Sequence, residues 1–212
     1  MTPEARLDDG GWIDHPAVRR VPSPNTDERP PGTEISLLVL HNISLPPGEF
    51  GGPYVEALFT NTLDCDAHPW FDCLRGLKVS AHFLIDRAGA IVQFASTGQR
   101  AWHAGVSCHA GRERCNDFSI GIELEGCDTL PFTDAQYRAL AWLTPALRAR
   151  HPLEAVRGHE HIAPGPRIPP ESREVPAEPG PGPLPRRRRP GRARCVSKKR
   201  SQSSVTKVAY DR

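Results

Sequence analysis

Two histidines and one glutamate are the residues of this sequence best placed to do chemistry. His41 follows the apolar segment ISLLVL, and His159 follows a short apolar segment and a glycine. An α/β sheet presents functional groups at the carboxyl ends of its strands, and imidazole nitrogen is a common zinc ligand. Each histidine could instead be a hydrogen-bonded structural residue. Spacing does not distinguish the two roles, because ligands from distant parts of a chain leave no spacing motif.

Glu123 lies in the apolar segment FSIGIELEG, between Ile122 and Leu124. Side chains alternate along a strand, so Glu123 and Glu125 are expected on the same face. Carboxylates are rarely buried unless they are paired or functional. Two interpretations stay open: a functional carboxylate, or the polar face of a half-exposed strand.

Further imidazoles lie at His82, His103 and His109, with Trp102 next to His103. This number of histidines favours the hypothesis of a zinc hydrolase. It does not indicate a substrate.

Four strands that could position these residues are predicted from the hydrophobic pattern. Continuous apolar segments place two of them at 35–41 and 118–126. Two more, at 79–86 and 90–96, are joined by a short connection whose glycine suits a hairpin turn. A short apolar segment at 155–157 leads into the second histidine.

Helical spacing of apolar residues predicts a helix over 53–63 and another from Thr133 to about Arg150. Thr133 and Gln136 form a capping box at the start of the second helix. The residues expected to share one face are Val55, Leu58, Phe59 and Leu63 in the first helix, and Tyr137, Leu140, Leu143, Thr144 and Leu147 in the second. The proline-rich segment 16–34 is expected to be irregular. Strands interleaved with helices predict an α/β domain with a mixed sheet.

Charge and composition divide the 212 residues into two parts. Residues 1–164 contain 14 Lys and Arg against 21 Asp and Glu, a net charge of −7, whereas 165–212 contain 13 against 4, a net of +9. The second part has nine prolines and few large apolar side chains, so it cannot bury enough surface to fold. We predict a folded domain over 1–165 and a basic, proline-rich, disordered tail over 166–212.

The basic clusters of this tail, 186–189 and 198–200, could bind nucleic acid or an anionic membrane surface. Tyr210 is the one aromatic residue of the tail, so no stacking platform for bases is present. A solvated end is therefore the expected interpretation.

The N-terminus shows no signal peptide, and no stretch approaches the roughly 18 apolar residues of a membrane span. The six cysteines show no CxxC pairing. Reduced thiols in the cytosol are expected.

Four blocks of the sequence resemble the bacterial 1,6-anhydro-N-acetylmuramoyl-L-alanine amidases of the AmpD type, relatives of phage T7 lysozyme and the peptidoglycan-recognition amidases. The blocks are VLHNISLPPGEFGGPYVEALFTNTLD (39–64), VSAHFLIDRAGAIVQF (79–94), RAWHAGVSCHAGRERCNDFSIGIELEG (100–126) and FTDAQYRAL (132–140). The similarity runs from about Gly11 to Pro164. It implies a mixed β-sheet flanked by helices.

The resemblance also implies a zinc site made of two histidines and an aspartate, with the remaining position open. His41 and His159 match the histidines, and Glu123 matches the catalytic glutamate. The implied reaction is zinc-assisted amide hydrolysis, in which Glu123 moves a proton from water to the leaving amine.

The implied substrate is anhydro-N-acetylmuramic acid linked to the L-alanine of a stem peptide, an anhydro-muropeptide from cell-wall turnover. The positions that match the lining of the substrate groove are Asn42, Lys78 (usually arginine in the family), Trp102, His103 and Arg114. Trp102 and His103 could equally pack in the wall of the site. We expect a monomer without nucleic-acid or membrane partners.

The sequence departs from the family after the second histidine. At the family spacing, Arg167 occupies the place of a lysine that stabilises the oxyanion, and Pro169 occupies the place of the aspartate ligand. Arginine can still donate hydrogen bonds, whereas proline has no side-chain ligand atom. Glu171 or His161 could replace the aspartate if the loop shifts.

The family's C-terminal aromatic and helical segment is also replaced by the tail, so the domain over 1–165 is C-terminally incomplete. Two ligands hold zinc more weakly than three. The alternative function is therefore an inactivated family member that binds muropeptide without hydrolysing it.

Overall fold

A six-stranded mixed sheet forms the centre of the structure, a computed structural model that describes residues 4–163. The strands of the described residues are β1 (Val18–Arg20), β2 (Thr26–Asp27), β3 (Leu37–Ile43), β4 (Phe83–Ile85), β5 (Ile91–Gln93), β6 (Arg100–Ala101), β7 (Cys108–His109), β8 (Arg112–Glu113), β9 (Ser119–Glu125) and β10 (Ala155–Gly158). The helices are α1 (Tyr54–Phe59), α2 (Asp134–Arg150), α3 (His159–Ile162) and two 3₁₀ helices, Pro69–Leu74 and Cys115–Phe118.

The order of strands in the sheet is β1-β5-β4-β9-β3-β10. Strands β4, β9, β3 and β10 run parallel to one another, and β5 pairs antiparallel with β4. Four parallel strands therefore end at the same edge of the sheet. This confirms the predicted mixed sheet.

The two faces of the sheet are covered by different elements. Leu143 and Leu147 of α2 pack in one buried cluster with Ile122 and other residues of β9 and β4. On the opposite face, α1 and the first 3₁₀ helix supply a second cluster that contains Phe59 and Phe71. Because side chains alternate along β9, Glu123 points away from α2.

The long apolar segments and the second helix are predicted well. The capping box at Thr133 is present, with the Thr133 hydroxyl accepting from the Gln136 amide and the Gln136 side chain accepting from the Thr133 amide. The strand predicted at 118–126 covers Ser119–Glu125, and the predicted hairpin forms between β4 and β5.

Three predictions about the elements are wrong. The first helix ends at Phe59, because Asn61 adopts a left-handed backbone (φ 60°) and its side chain pairs with Asn25. Tyr137 is 55% exposed, because Gln136 occupies the buried position beside it and bonds to the carbonyls of β4 and β9. The segment 16–34 contains β1, which pairs with the outer side of β5.

The tail predicted over 166–212 lies outside the described residues, as do Arg167, Pro169 and Glu171. Within residues 4–163, no helix has the length and apolarity needed to cross a membrane. The five cysteines in this part of the chain are free thiols, as expected.

Candidate metal and catalytic site

His41 lies inside β3, two residues before the strand ends, and not at the end of the strand as predicted. The strand covers 37–43 and not the predicted 35–41, because β9 continues beside its end and pairs Ile43 with Glu125. The same register places His41 directly beside Glu123 on the neighbouring strand. The structure therefore brings together one predicted metal ligand and the predicted catalytic carboxylate through parallel strand pairing.

His159 begins α3, immediately after β10, which is the other neighbour of β3. Its Nδ1 lies 3.0 Å from Nδ1 of His41. Two imidazole nitrogens that bind one zinc at about 2.0 Å in tetrahedral geometry are about 3.3 Å apart. The separation of the two nitrogens therefore fits two ligands of a shared cation.

Burial keeps His41 and His103 in the neutral form. Burial and then the neighbouring rings of His103 and His159 hold the pKa of His41 well below its ordinary value. Burial also holds the pKa of His103 well below its ordinary value, with smaller contributions from His82 and Arg29. Neutral imidazole is the form that binds a metal.

A third ligand is not supplied by this part of the structure. Among residues 4–163, no group of three or more His, Cys, Asp or Glu is arranged to hold a metal ion. His161, one predicted substitute, is exposed and its Nδ1 accepts from the Gly158 amide at 3.2 Å. The position predicted for the family's aspartate, residue 169, is outside the described range.

Glu123 is 2% exposed and borders a narrow apolar cleft. The cleft is lined by Ile43, Leu58, Phe59, Leu74, Leu77, Val79, Ser80, Trp102 and His103. The side chains of this lining that carry polar atoms are those of Ser80, Trp102 and His103. The arrangement suits proton transfer in a water-poor site.

Glu125 has a different environment on the same strand face. One of its oxygens accepts from the Gly51 amide at 2.5 Å, and the other accepts from the Arg87 amide at 3.1 Å. Glu125 therefore fastens two loops to the sheet. Its contacts are those of a structural residue.

The residues predicted to bind substrate differ in their burial. Trp102 is half-buried in the cleft, and His103 is 2% exposed and contacts His41. Asn42 is half-buried and its Nδ2 donates to Asp128 Oδ1 at 2.8 Å. Two further residues lie at the surface, Lys78 and Arg114. Their roles stay predictions.

Sequence reasoning missed Arg29, which lies in the segment expected to be irregular. Its buried guanidinium donates to the carbonyls of Asn116, Asp117 and Ser119 at 2.8–3.0 Å. Burial lowers the pKa of Arg29 to about 10. A single arginine among prolines gives no signal of such a role, since its partners are backbone carbonyls and the His82 ring, whose Nε2 lies 3.1 Å from the guanidinium.

His82 lies next to Arg29 beneath the site. Its Nδ1 accepts from the Gly121 amide at 3.0 Å, and its Nε2 donates to the Gln99 carbonyl at 3.1 Å. Burial, and then the charge of Arg29, lowers the pKa of His82 to about 3. This ring is therefore a neutral structural support.

The low pKa of His82 predicts a loss of stability in mild acid. In the unfolded chain this group takes up a proton near pH 6.5, but in the folded protein only near pH 3, so its contribution to stability is lost as pH falls through that window. Below about pH 6 we expect His82 to contribute a slope of about 1.4 kcal/mol per pH unit. Urea unfolding at pH 7, 6 and 5 measures the slope. A His82→Gln variant with an unchanged slope would contradict this assignment.

A wider groove, with a volume of about 660 Å³, runs along the outer face of α2 and has no carboxylate, imidazole or thiol in its lining. Its lining residues are Tyr137, Leu140, Ala141, Thr144, Pro145 and Arg148. The chemistry is concentrated at the histidine and glutamate site instead.

Comparisons with known proteins identify the family of this chain. A family model described as N-acetylmuramoyl-L-alanine amidase matches residues 31–175, which include His41, Glu123 and His159. The 1,6-anhydro-N-acetylmuramyl-L-alanine amidase AmpD of Citrobacter freundii is 61% identical over 158 residues, covering 74% of this chain and 83% of that protein. The enzyme of the same description from Escherichia coli K12 is 59% identical over 156 residues, covering 73% and 84%.

The fold is shared with a solved relative. The crystal structure of a selenomethionine derivative of AmpD superposes with a TM-score of 0.72 and 58% sequence identity. The superposition covers 77% of this chain and 91% of that chain.

Proposed function

Since the chain belongs to the N-acetylmuramoyl-L-alanine amidase family, we propose that it hydrolyses the amide bond between 1,6-anhydro-N-acetylmuramic acid and L-alanine in muropeptides. The reaction would serve cell-wall recycling in the cytoplasm. The protein would act as a monomer without nucleic-acid or membrane partners. The observation that carries the proposal is the 3.0 Å approach of the His41 and His159 Nδ1 atoms beside Glu123.

We propose that zinc is the cofactor, with His41 and His159 among its ligands. When bound, zinc supplies Lewis-acid polarisation of the scissile carbonyl. The 3.0 Å separation of the two Nδ1 atoms supports this assignment, because it is close to the spacing of two nitrogen ligands of one zinc ion.

Glu123 would act as the general base and then as the general acid. Its carboxylate accepts a proton from the attacking water, a C–O bond forms as the amide C–N bond breaks, and the same proton passes to the nitrogen of the leaving L-alanine. The apolar cleft around Glu123 supports this role, because it excludes water that would compete for the proton.

Substrate recognition is proposed for Asn42, Lys78, Trp102 and Arg114. The Nδ2 of Asn42 is engaged by Asp128, so we expect its Oδ1 to be the atom that accepts from a substrate amide. Arg167 is proposed to donate to the oxyanion in place of the family's lysine.

A second candidate function rests on Pro169, which has no ligand atom where the family has aspartate. With two histidine ligands alone, zinc would be held weakly and the chain would bind muropeptide without cleaving it. This is the inactivated alternative.

Zinc content and turnover of anhydro-N-acetylmuramyl-tripeptide, measured in one sample of full-length protein, distinguish the two functions. For the amidase we expect near-stoichiometric zinc, and a chelator should lower turnover at least about 100-fold, with recovery on zinc addition. Folded protein that binds the tripeptide without zinc or turnover would establish the inactivated alternative.

A further inference from the structure

A line of hydrogen bonds runs from a backbone carbonyl behind the site to the ring of His41. The Cys115 carbonyl oxygen lies 2.6 Å from Ser119 Oγ, which lies 3.2 Å from His103 Nε2. His103 Nδ1 in turn lies 2.9 Å from His41 Nε2. The four residues are at most 4% exposed. Solvent therefore cannot rearrange these bonds.

The positions of the hydrogens in this line of hydrogen bonds follow from the Cys115 carbonyl at its end. A carbonyl can only accept, so the 2.6 Å contact requires that the Ser119 hydroxyl donates to Cys115. Ser119 must then accept from His103 Nε2, which places the ring hydrogen of neutral His103 on Nε2. The remaining nitrogen of His103 is an acceptor.

These hydrogen bonds also determine which nitrogen of His41 carries the hydrogen. Because His103 Nδ1 accepts, His41 Nε2 carries the hydrogen and donates to it. The lone pair of neutral His41 therefore lies on Nδ1, the atom that is 3.0 Å from Nδ1 of His159. In the metal-free protein His159 Nδ1 must donate across that contact, so only His159 has to change its hydrogen when a cation enters.

We infer that His103 and Ser119 are positioning residues that lock His41 in the Nε2–H tautomer and so present its Nδ1 lone pair to the metal. The inference rests on the proposed zinc site for its purpose. It assigns His103 a place behind a ligand, where the sequence suggested the substrate groove.

His103 is itself held on two sides, as a positioning residue must be. Its backbone amide and that of Ala104 donate to Asn116 Oδ1 at 3.1 and 2.8 Å. Its ring lies against the backbone of Gly121, where a Cβ atom would be 2.4 Å from His103 Cγ. Outer-shell partners of this kind typically change metal affinity about 10- to 100-fold.

The test reads tautomers directly, by ¹⁵N NMR of full-length protein labelled at histidine. Metal-free wild type should show His41 and His103 as Nε2–H tautomers, and zinc should change the tautomer of His159 but not that of His41. Ser119→Ala should mix the His103 and His41 tautomers and weaken zinc binding about 10- to 100-fold, measured by competition with a chromophoric chelator.

Ser80→Ala is the matched control. Ser80 is equally buried and makes two hydrogen bonds in the same region, to Asn25 and Trp102, but none to a histidine. It should leave the tautomers and the zinc affinity unchanged. If Ser119→Ala folds poorly, His103→Asn, which keeps an acceptor for His41, should bind zinc more tightly than His103→Leu.

Two results would overturn the inference. One is an Nδ1–H tautomer of His41 in the wild type, and the other is equal tautomers and zinc affinity in Ser119→Ala and wild type. The tautomers of the metal-free protein do not depend on turnover, so a failure of the proposed amidase activity remains distinguishable from a failure of this inference.

Discussion

Replacing Glu123 by glutamine is expected to lower kcat for muropeptide hydrolysis by about 10²- to 10⁴-fold, the usual contribution of a general acid–base group. The substitution keeps the size of the side chain and removes only its ability to carry the proton. Zinc content and the urea midpoint should therefore stay close to those of the wild type. Steady-state kinetics with anhydro-N-acetylmuramyl-tripeptide measures the effect.

Glu125→Gln is the matched control on the same strand face. The Glu125 carboxylate accepts hydrogen bonds from the amides of Gly51 and Arg87. The substitution should therefore lower the free energy of unfolding by about 1–2 kcal/mol. The change in kcat should be much smaller than that of Glu123→Gln. If the two variants lost equal activity, Glu123 would have no special catalytic role.

Gly121→Ala is expected to damage both stability and the metal site. The added Cβ would lie 2.4–2.6 Å from three ring atoms of His103, in the interior of a fully buried strand. Overpacking of this kind costs about 1–3 kcal/mol, and the displaced ring can no longer accept from His41. Urea unfolding and zinc competition measure the two losses.

Gly98→Ala shows what the same change does at an exposed position. There the added Cβ meets only Ser96 Oγ, at 3.5 Å, which is an ordinary contact. Its free energy of unfolding should stay within about 0.5 kcal/mol of the wild type. A Gly121→Ala protein as stable as Gly98→Ala would show that the sheet can move away from His103.

The elements most accessible from the sequence are those with a strong local pattern. The apolar segments of β3 and β9 and the capping box of α2 are each specified by neighbouring residues, so they were predictable to within about two positions. The three-residue strand β1 was not, because its pairing with β5 supplies the order that its own sequence does not.

The site was predictable only in part. The histidine and glutamate types, with the family resemblance, identify His41, Glu123 and His159 as candidates. That His41 and Glu123 are neighbours depends on the register of β3 against β9, which no local pattern contains. Ser119 gives no sequence signal at all, since its importance comes from one carbonyl and one ring brought to it by the fold.

Because β10 is an edge strand, local opening of the sheet at β10 can separate the two histidines of the site. Within the described residues β10 pairs only with β3, and it carries His159 at its end. Edge strands open more easily than central ones, and such opening would separate the two nitrogens while His41 stayed fixed in the interior. A cation bound by both histidines would then hold β10 against β3. Metal binding should therefore slow amide hydrogen exchange in β10 much more than in the central strands of the sheet.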